Sequence, residues 1–382
     1  MSKRMTGCGL MIFLSGSIAF GFPGVMTSYW QDQFHVGNAE TGLIITCMLF
    51  ALAASMFFSG RVHAAKGLRI CMLLGTALYL ISYVVLLLAT SIYMVYIWGF
   101  LANLGSSFLY GPSLTAGQQE YPEKKGVISG ILNLCFGISG AVMAPVFQYV
   151  LVTKGAATLY YLIMLLFLVA GTGSVWLVGP ERRDQMNGRK GSEMDLSVTQ
   201  ALKTKEFWLI WFTWVCMGAA GISMVSLSKT YALVMGASGV VLLTAFNLAN
   251  GISRIFAGIL TDWVGAGLTG GAAFALAGAG YLLLPHMHTI PTACLCAILV
   301  GIGFGTLFTI TGPLASGLFG LKNFGMIFGL IFTAYGLVGG IAGPALSGLI
   351  LERTGQNYGI VFSYLGILSV LAMILIIRIK KR

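Results

Sequence analysis

The stretch GISGAVMAP at residues 137–145 returns as GLVGGIAGP at residues 336–344, with an offset of 199 residues at both ends. Both stretches are apolar, rich in glycine and closed by a proline. Pro112 and Pro313 repeat at a nearby offset of 201 residues. Self-similarity over such a distance indicates a chain built from two related halves.

Apolar runs fill both halves of the chain. Hydrophobic residues make up 57% of the 382 residues, charged residues make up 9%, and the mean hydropathy is +0.90. Soluble domains average about 25% charged residues, so the composition excludes a soluble enzyme. Each run is long enough for a transmembrane helix, which needs about 20 apolar residues. The runs lie at 7–29, 41–60, 68–89, 92–116, 126–151, 157–179, 207–233, 239–264, 268–285, 292–317, 325–351 and 358–377.

These runs predict an all-α membrane protein with 12 transmembrane helices in two homologous six-helix bundles. The predicted parts are an N-terminal bundle at residues 1–179, a polar linker at 180–206 and a C-terminal bundle at 207–382. If the linker and both termini are cytoplasmic, 18 of the 22 Lys and Arg residues face the cytoplasm. This distribution satisfies the positive-inside rule. We therefore expect a multi-pass protein of the lipid bilayer of a bacterial inner (plasma) membrane, with both termini cytoplasmic.

The remaining composition argues against catalysis and against nucleic-acid binding. The net charge of +11 follows from the predicted topology, so no nucleic-acid partner is needed to explain it. The seven cysteines show no spacing typical of a metal or redox site. No cluster of His, Cys or acidic residues forms a catalytic arrangement in or near the membrane. The sequence thus predicts a protein that is not an enzyme and has neither a cofactor nor a metal.

The repeat, the twelve runs and the long central loop resemble the major facilitator superfamily over nearly the whole chain. That resemblance implies a carrier that works by alternating access, with its substrate bound between the two halves. Four shorter strings are similar to the oxalate/formate antiporter family, whose bacterial members include relatives of monocarboxylate transporters. The strings are YPEKKG at 121–126, QALKTKEFW at 200–208, NGISR at 250–254 and FGLKN at 319–323.

Arg254 is the charged residue that the pattern places inside the bilayer. It stands eight residues before Asp262, so a rise of 1.5 Å per residue puts it about 12 Å inside the cytoplasmic end of the eighth run. All eleven acidic residues fall in loops or at helix ends, so we expect a bound carboxylate as the counter-ion of this costly charge. In the resembled family the matching arginine binds substrate carboxylate. The alternative is that the side chain snorkels towards the cytoplasm or bonds helix carbonyls.

Two asparagines share the predicted helix face of this arginine. Asn247, Asn250 and Arg254 stand at positions i, i+3 and i+7. Such a polar face predicts contact with the substrate. Asparagine in a membrane helix equally often forms a hydrogen bond to a neighbouring helix, so both roles stay open.

Tyr335 bears on the charge of the substrate. Oxalate-transporting relatives carry a lysine in a Thr-Ala-Lys-Gly context of the eleventh helix, and here that context reads TAYG at 333–336. A single arginine suits one carboxylate better than two, because a second negative charge would lack a partner in a low-dielectric site. Tyr335 can still donate a hydrogen bond to a carboxylate or a hydroxyl. This departure favours lactate, pyruvate or formate over oxalate.

The other candidate binding residues come from the repeat, from the resemblance and from helical spacing. Each aromatic residue among them has helix packing as its alternative role. They are Phe136, which matches Tyr335 in the repeat, and Asn103, Tyr110, Phe304, Phe308 and Phe20.

The expected function is secondary active transport of a small monocarboxylate by a protein that works as a monomer. No acid or histidine lies mid-membrane to relay a proton, so a proton would travel with the substrate. By resemblance to monocarboxylate carriers we favour proton symport. The alternatives are oxalate/formate-type anion exchange and, less favoured, a solute sensor that does not transport. The sequence leaves open which monocarboxylate is carried and with what stoichiometry.

Overall fold

A computed structural model describes residues 2–179, 195–237 and 241–379. All regular secondary structure in these ranges is helical. Residues 180–194, which form the larger part of the predicted linker, lie outside the described residues.

Residues 2–179, as the structure describes them, contain six α-helices. The helices α1 (Lys3–Gly16) and α2 (Phe22–Phe34) are joined by a π-helical segment at Ser17–Gly21. The next four are α3 (Asn38–Leu87), α4 (Ile92–Glu120), α5 (Lys125–Lys154) and α6 (Ala156–Val178). A short 3₁₀ turn at Pro122–Lys124 precedes α5.

The second half begins with a short helix at the end of the linker and continues with seven further helices in the described residues. The helices are α7 (Val198–Leu202), α8 (Lys205–Val234), α9 (Val241–Val264), α10 (Ala266–Leu283) and α11 (Ile290–Phe319). They are followed by α12 (Phe324–Thr333), a π-helical segment at Ala334–Gly339, α13 (Gly340–Arg353) and α14 (Tyr358–Ile377). A 3₁₀ turn at Leu284–His286 follows α10.

The helix α3 is long enough to cross a bilayer twice. It has 50 residues, which at 1.5 Å per residue is about 75 Å. Gly67 breaks its helical geometry with φ 83° and ψ 175°, a conformation that only glycine adopts without strain. The predicted second and third runs lie on either side of this break. The described residues contain 11 helices long and apolar enough to span a membrane, and two crossings by α3 would bring the number of spans to twelve. The predicted all-helical membrane fold is confirmed.

One compact unit comprises Met1–Glu120, Cys135–Asp195 and Leu321–Leu330. Aromatic rings form much of its core, where the Phe22 ring lies 5.2 Å from that of Trp98 and 5.5 Å from that of Tyr83. Backbones also touch within this unit, since a Cβ built on Gly325 would lie 2.9 Å from the Cα of Gly60. The start of α12 therefore packs directly on α3.

The other compact unit comprises Tyr121–Leu134, Leu196–Gly320 and Ile331–Arg382. It includes the first ten residues of α5, which the sequence places in the first half of the chain. These residues pack on α9, since a Cβ built on Gly130 would lie 2.5 Å from the carbonyl oxygen of Arg254. Most of the predicted binding residues belong to this unit.

Candidate functional site

Arg254 lies in α9 with only 1% of its surface exposed. Its Nη1 donates a hydrogen bond of 2.7 Å to the backbone carbonyl of Asn133 in α5. Its Nη2 donates one of 3.2 Å to Oδ1 of Asn250, one turn earlier in α9. Both of these acceptors are neutral oxygens. The guanidinium is thus buried and oriented by two helices at once.

An aromatic side chain covers the guanidinium. Its Cζ lies 4.9 Å from the ring centre of Phe308 in α11, which is the geometry of a cation–π contact. The Phe308 ring in turn lies 5.2 Å from that of Phe304 and 5.5 Å from that of Tyr335. The charge of Arg254 therefore lies beside a cluster of aromatic rings, which we call the aromatic box. Its rings are those of Phe304, Phe308 and Tyr335.

Tyr335 enters this box from the π-helical segment at Ala334–Gly339, and 2% of its surface is exposed. A π-helical turn interrupts the regular 3.6-residue repeat and is often found at functional sites. Trp214 in α8 closes the box, with its ring 5.7 Å from Tyr335 and 4.9 Å from Phe308. Its indole Nε1 donates to Oγ1 of Thr311 at 2.8 Å, which fixes the orientation of the ring.

Asn133 holds together the elements around the arginine. Its side-chain Nδ2 donates to the carbonyl of Ser129 at 2.8 Å and to the carbonyl of Phe308 at 3.3 Å. Its backbone carbonyl accepts from Arg254. This one residue therefore connects α5 with both α9 and α11.

The structure brings five of the ten predicted residues together around the buried charge. They are Arg254, Asn250, Phe304, Phe308 and Tyr335. Asn247 lies on the same helix and is exposed.

The other four predicted residues belong to the first unit. Tyr110 and Phe136 contact each other, with ring centres 4.9 Å apart. The amide of buried Asn103 donates to the carbonyl of Gly99 in its own helix at 3.4 Å. The backbone of Phe20 lies in the π-helical segment at Ser17–Gly21, and its side chain is outside what the structure describes. Their role in binding stays a prediction.

Sequence reasoning missed Asn133 and Trp214. Asn133 carried the same signal as Asn250, an amide in the middle of an apolar run. Trp214 carried no such signal, because a tryptophan in an apolar run is ordinary core composition. Its position beside the arginine depends on how α8 packs against α11, which a single sequence does not show.

The chemistry that these side chains offer is recognition of an anion. Within residues 2–179, 195–237 and 241–379, no group of three or more His, Cys, Asp or Glu side chains is placed to hold a metal ion. A buried arginine presents a planar fork of N–H donors, which matches the two oxygens of a carboxylate. The aromatic rings beside it would exclude water and restrict the size of the ligand.

Comparison with known proteins identifies the family of the chain. The sequence pattern of the Major Facilitator Superfamily matches residues 8–342 and, a second time, residues 241–382. An oxalate:formate antiporter from Oxalobacter formigenes is 24% identical over 330 residues, which is 83% of this chain and 78% of that protein. Human monocarboxylate transporter 2 is 23% identical over 378 residues, which is 90% of this chain and 79% of that protein.

A solved structure shows the same fold. The crystal structure of FucP, a Major Facilitator Superfamily transporter in the outward conformation, superimposes with a TM-score of 0.76. The sequence identity is 14%, and 97% of each chain is covered. At this identity the similarity concerns the fold and not the substrate.

Proposed function

The chain belongs to the major facilitator superfamily, a family of non-enzymatic membrane carriers, and from this we propose that it transports small monocarboxylates such as lactate, pyruvate or formate. Transport proceeds by alternating access, with the substrate bound near Arg254. The carrier works as a monomer in the bacterial inner membrane. Its two six-helix bundles at 1–179 and 207–382 are joined by the linker at 180–206.

The buried guanidinium of Arg254 is the observation that carries this proposal. Carrying a charge into a membrane interior costs several kcal/mol or more, so such residues mark functional sites. The oxygens of Asn133 and Asn250 that accept from this guanidinium are neutral. A carboxylate is a stronger acceptor for the same N–H groups, because hydrogen bonds between ionised partners are about twice as strong as neutral ones. A substrate carboxylate can therefore compete for them.

The surroundings of the guanidinium favour a single carboxylate. Phe308 covers the charge, and neutral Tyr335 stands in the box where oxalate-transporting relatives have a lysine. A second carboxylate would enter an aromatic, low-dielectric space, where an uncompensated charge is costly. The hydroxyl of Tyr335 suits the hydroxyl of a 2-hydroxy acid such as lactate.

We assign proton symport as the driving force. A carboxylate that enters together with a proton moves no net charge, and no acidic residue or histidine in mid-membrane is needed as a relay. The similarity to a human monocarboxylate transporter supports this choice over exchange.

Uptake of labelled L-lactate into proteoliposomes tests the proposal. The vesicles are prepared with and without an inward proton gradient, and unlabelled pyruvate, formate and oxalate are added as competitors. We expect accumulation that requires the gradient and that pyruvate and formate inhibit more strongly than oxalate. Lactate uptake that ignores the gradient would contradict symport, and the absence of any lactate uptake would contradict the substrate class.

Oxalate:formate exchange is the second candidate, favoured by the similarity to the antiporter of Oxalobacter formigenes. The same vesicles distinguish it when they are preloaded with formate and given labelled oxalate outside. Oxalate uptake that depends on internal formate, in vesicles that do not accumulate lactate, would establish the antiporter function instead.

A further inference from the structure

A cluster of aromatic rings belongs to the unit that does not contain Arg254. The ring of Phe22 lies at its centre, and four further ring centres lie within 6.1 Å of it. We call these five rings the Phe22 cluster, and all five residues are buried. The helices α2, α3, α4 and α6 contribute its members, which are Phe22, Trp30, Tyr83, Trp98 and Tyr160.

Three polar atoms of the Phe22 cluster have no hydrogen-bond partner among the described residues. They are Nε1 of Trp30, the hydroxyl oxygen of Tyr83 and Nε1 of Trp98. The hydroxyl of Tyr160 lies beside Trp30 but forms no hydrogen bond with its Nε1. Buried polar atoms normally have a partner, because an unpaired one costs free energy. Three such atoms in one cluster indicate that it offers hydrogen bonds to a ligand.

A cavity of about 110 Å³ adjoins the Phe22 cluster. Trp30 and Tyr160 form part of its wall. Leu86, one turn after Tyr83 in α3, forms another part. Gln33 also lines the cavity and is exposed, so the cavity reaches the surface of the protein. The volume is enough for a few water molecules or for one small solute.

The donors in the wall determine which chemical group the cavity can bind. An indole N–H donates and cannot accept, so its partner must be an acceptor atom. None of the ten described residues that line the cavity is charged. An anion would therefore be an uncompensated charge beside buried aromatic rings, which is costly. A neutral carbonyl oxygen has two lone pairs to accept hydrogen bonds and does not carry this cost.

We propose that this cavity binds a small neutral molecule through its carbonyl oxygen, a chemical class that includes short amides and undissociated carboxylic acids. The carbonyl oxygen accepts hydrogen bonds from Nε1 of Trp30 and from the hydroxyl of Tyr160. The rest of the molecule contacts Leu86 and extends towards Gln33, whose amide can bond a second polar group. Because Arg254 belongs to the other unit, the inference does not depend on the proposed carboxylate site.

The two sites select different charge states. Arg254 favours a carboxylate anion, whereas this cavity favours a neutral molecule. Ala156 and Ala157, at the beginning of α6, line the cavity. They closely follow Lys154, which the predicted topology places outside. In that topology a neutral solute reaches the cavity from the outer side of the membrane.

Nuclear magnetic resonance of the indole N–H groups tests this site directly. The protein is labelled with ¹⁵N-tryptophan, and each of the seven indole signals is assigned by replacing one tryptophan with phenylalanine. Acetamide is titrated at neutral pH, and acetate, which has nearly the same shape but a negative charge, is titrated separately. We expect acetamide to shift the Trp30 proton signal downfield until it saturates, and acetate to leave this signal unchanged. The signal of exposed Trp176 reports non-specific solvent effects and should not saturate.

A matched pair of tyrosine variants tests the position of the ligand. Tyr160→Phe keeps the ring in the cavity wall and removes only the hydroxyl, so the dissociation constant of acetamide should rise about 2- to 10-fold. Tyr161→Phe changes the next residue, which is exposed and is not part of the cavity wall, and should bind acetamide as the wild type does. Equal dissociation constants in the two variants would overturn the placement of the ligand in this cavity.

The remaining outcomes also decide the inference. If acetamide causes no saturable shift of the Trp30 signal, the proposal fails, because water alone then pairs with the donors. A response to acetate as large as that to acetamide would overturn the selection of a neutral ligand. Arg254→Lys should leave the acetamide response unchanged while it weakens lactate transport, so the failure of either site is seen separately. Loss of the acetamide response in Arg254→Lys would overturn the assignment to this cavity.

Discussion

At the scale of single residues, the position of Arg254 follows from the sequence, but its partners do not. Arg254 lies deep in the eighth run, and the matching position of the first repeat is Met56. The sequence therefore already indicates that this charge is not part of the scaffold that the two repeats share. Asn133 lies 121 residues away, and only the packing of α5 on α9 shows that its carbonyl accepts from the guanidinium. The bond to a helix carbonyl, which is the alternative role of this arginine, is present in the structure.

Replacing Arg254 by lysine should weaken lactate binding severely. Lysine keeps the charge but lacks the planar fork, and the loss of a charged hydrogen bond costs about 1.5–3 kcal/mol. This corresponds to about a 10- to 150-fold higher half-saturating concentration. Arg353→Lys, which changes an exposed arginine at the end of α13, is the matched control and should transport as the wild type does. Equal half-saturating concentrations in the two variants would show that Arg254 is not part of the binding site.

Replacing Tyr335 by lysine should shift selectivity towards dicarboxylates. The new ammonium would stand in the aromatic box beside Phe308, where it can pair with a second carboxylate. We expect the inhibitory concentration of oxalate against lactate uptake to fall about tenfold, which corresponds to about 1.4 kcal/mol. Tyr335→Phe keeps the ring without a charge and should leave oxalate a poor inhibitor. Unchanged inhibition in Tyr335→Lys would show that residue 335 does not determine valence.

At the scale of elements, hydrophobic runs predict where helices lie but not how they deviate from regularity. The run predicted at 157–179 corresponds to α6 at Ala156–Val178. The π-helical segment at Ala334–Gly339 has no comparable signal, because its glycines also fit a regular packed helix. Its geometry depends on contacts with α8, where a Cβ on Gly339 would lie 2.8 Å from the carbonyl of Val215. Such contacts arise only in the folded bundle.

Two glycines in α13 should distinguish the effect of close packing on stability from the effect of helix propensity. A Cβ on Gly343 would lie 2.7 Å from the Cα of Ala219 in α8, whereas a Cβ on Gly348 would have nothing within 4 Å. Gly343→Ala should therefore destabilise the protein by about 1–3 kcal/mol through overpacking. Gly348→Ala should be neutral or stabilising by up to about 1 kcal/mol, because alanine favours helix. Thermal unfolding in detergent measures both, and equal melting temperatures would contradict the close approach of α13 and α8.

At the scale of the whole molecule, the two repeats differ in which acidic residue accepts hydrogen bonds at the start of corresponding helices. Asp262 accepts from the first N–H groups of α5, but its counterpart in the first repeat is Ala64. The turn before α12 instead receives Asp195, whose Oδ1 accepts from the backbone N–H of Leu321 at 3.0 Å and of Lys322 at 3.2 Å. The end of the linker thus supplies an acid that the first repeat lacks. The sequences of the two halves show the repeat. They do not show that Asp195 takes, before α12, the role that Asp262 has at the start of α5.

The predicted orientation of the molecule in the membrane can be tested by labelling. We expect the loop at Lys154 to face outwards and the loop at Lys203 to face the cytoplasm, because this orientation places most cations inside. Both side chains are exposed. In intact cells, a membrane-impermeant maleimide should label Lys154→Cys strongly and Lys203→Cys only after the membrane is opened, with the unmodified protein as background. The reverse pattern would invert the proposed topology.

Trp214 gives the proposed binding site an optical property of its own. Its indole ring lies 4.9 Å from the ring that covers the guanidinium, and its N–H is fixed on Thr311. The emission of an indole responds to the electric field around it, and an anion beside Arg254 would cancel much of the field of the guanidinium. Ligand arrival should thus change the intrinsic fluorescence of the protein. Trp214→Phe should abolish this change in fluorescence, and the other six tryptophans would serve as an internal reference.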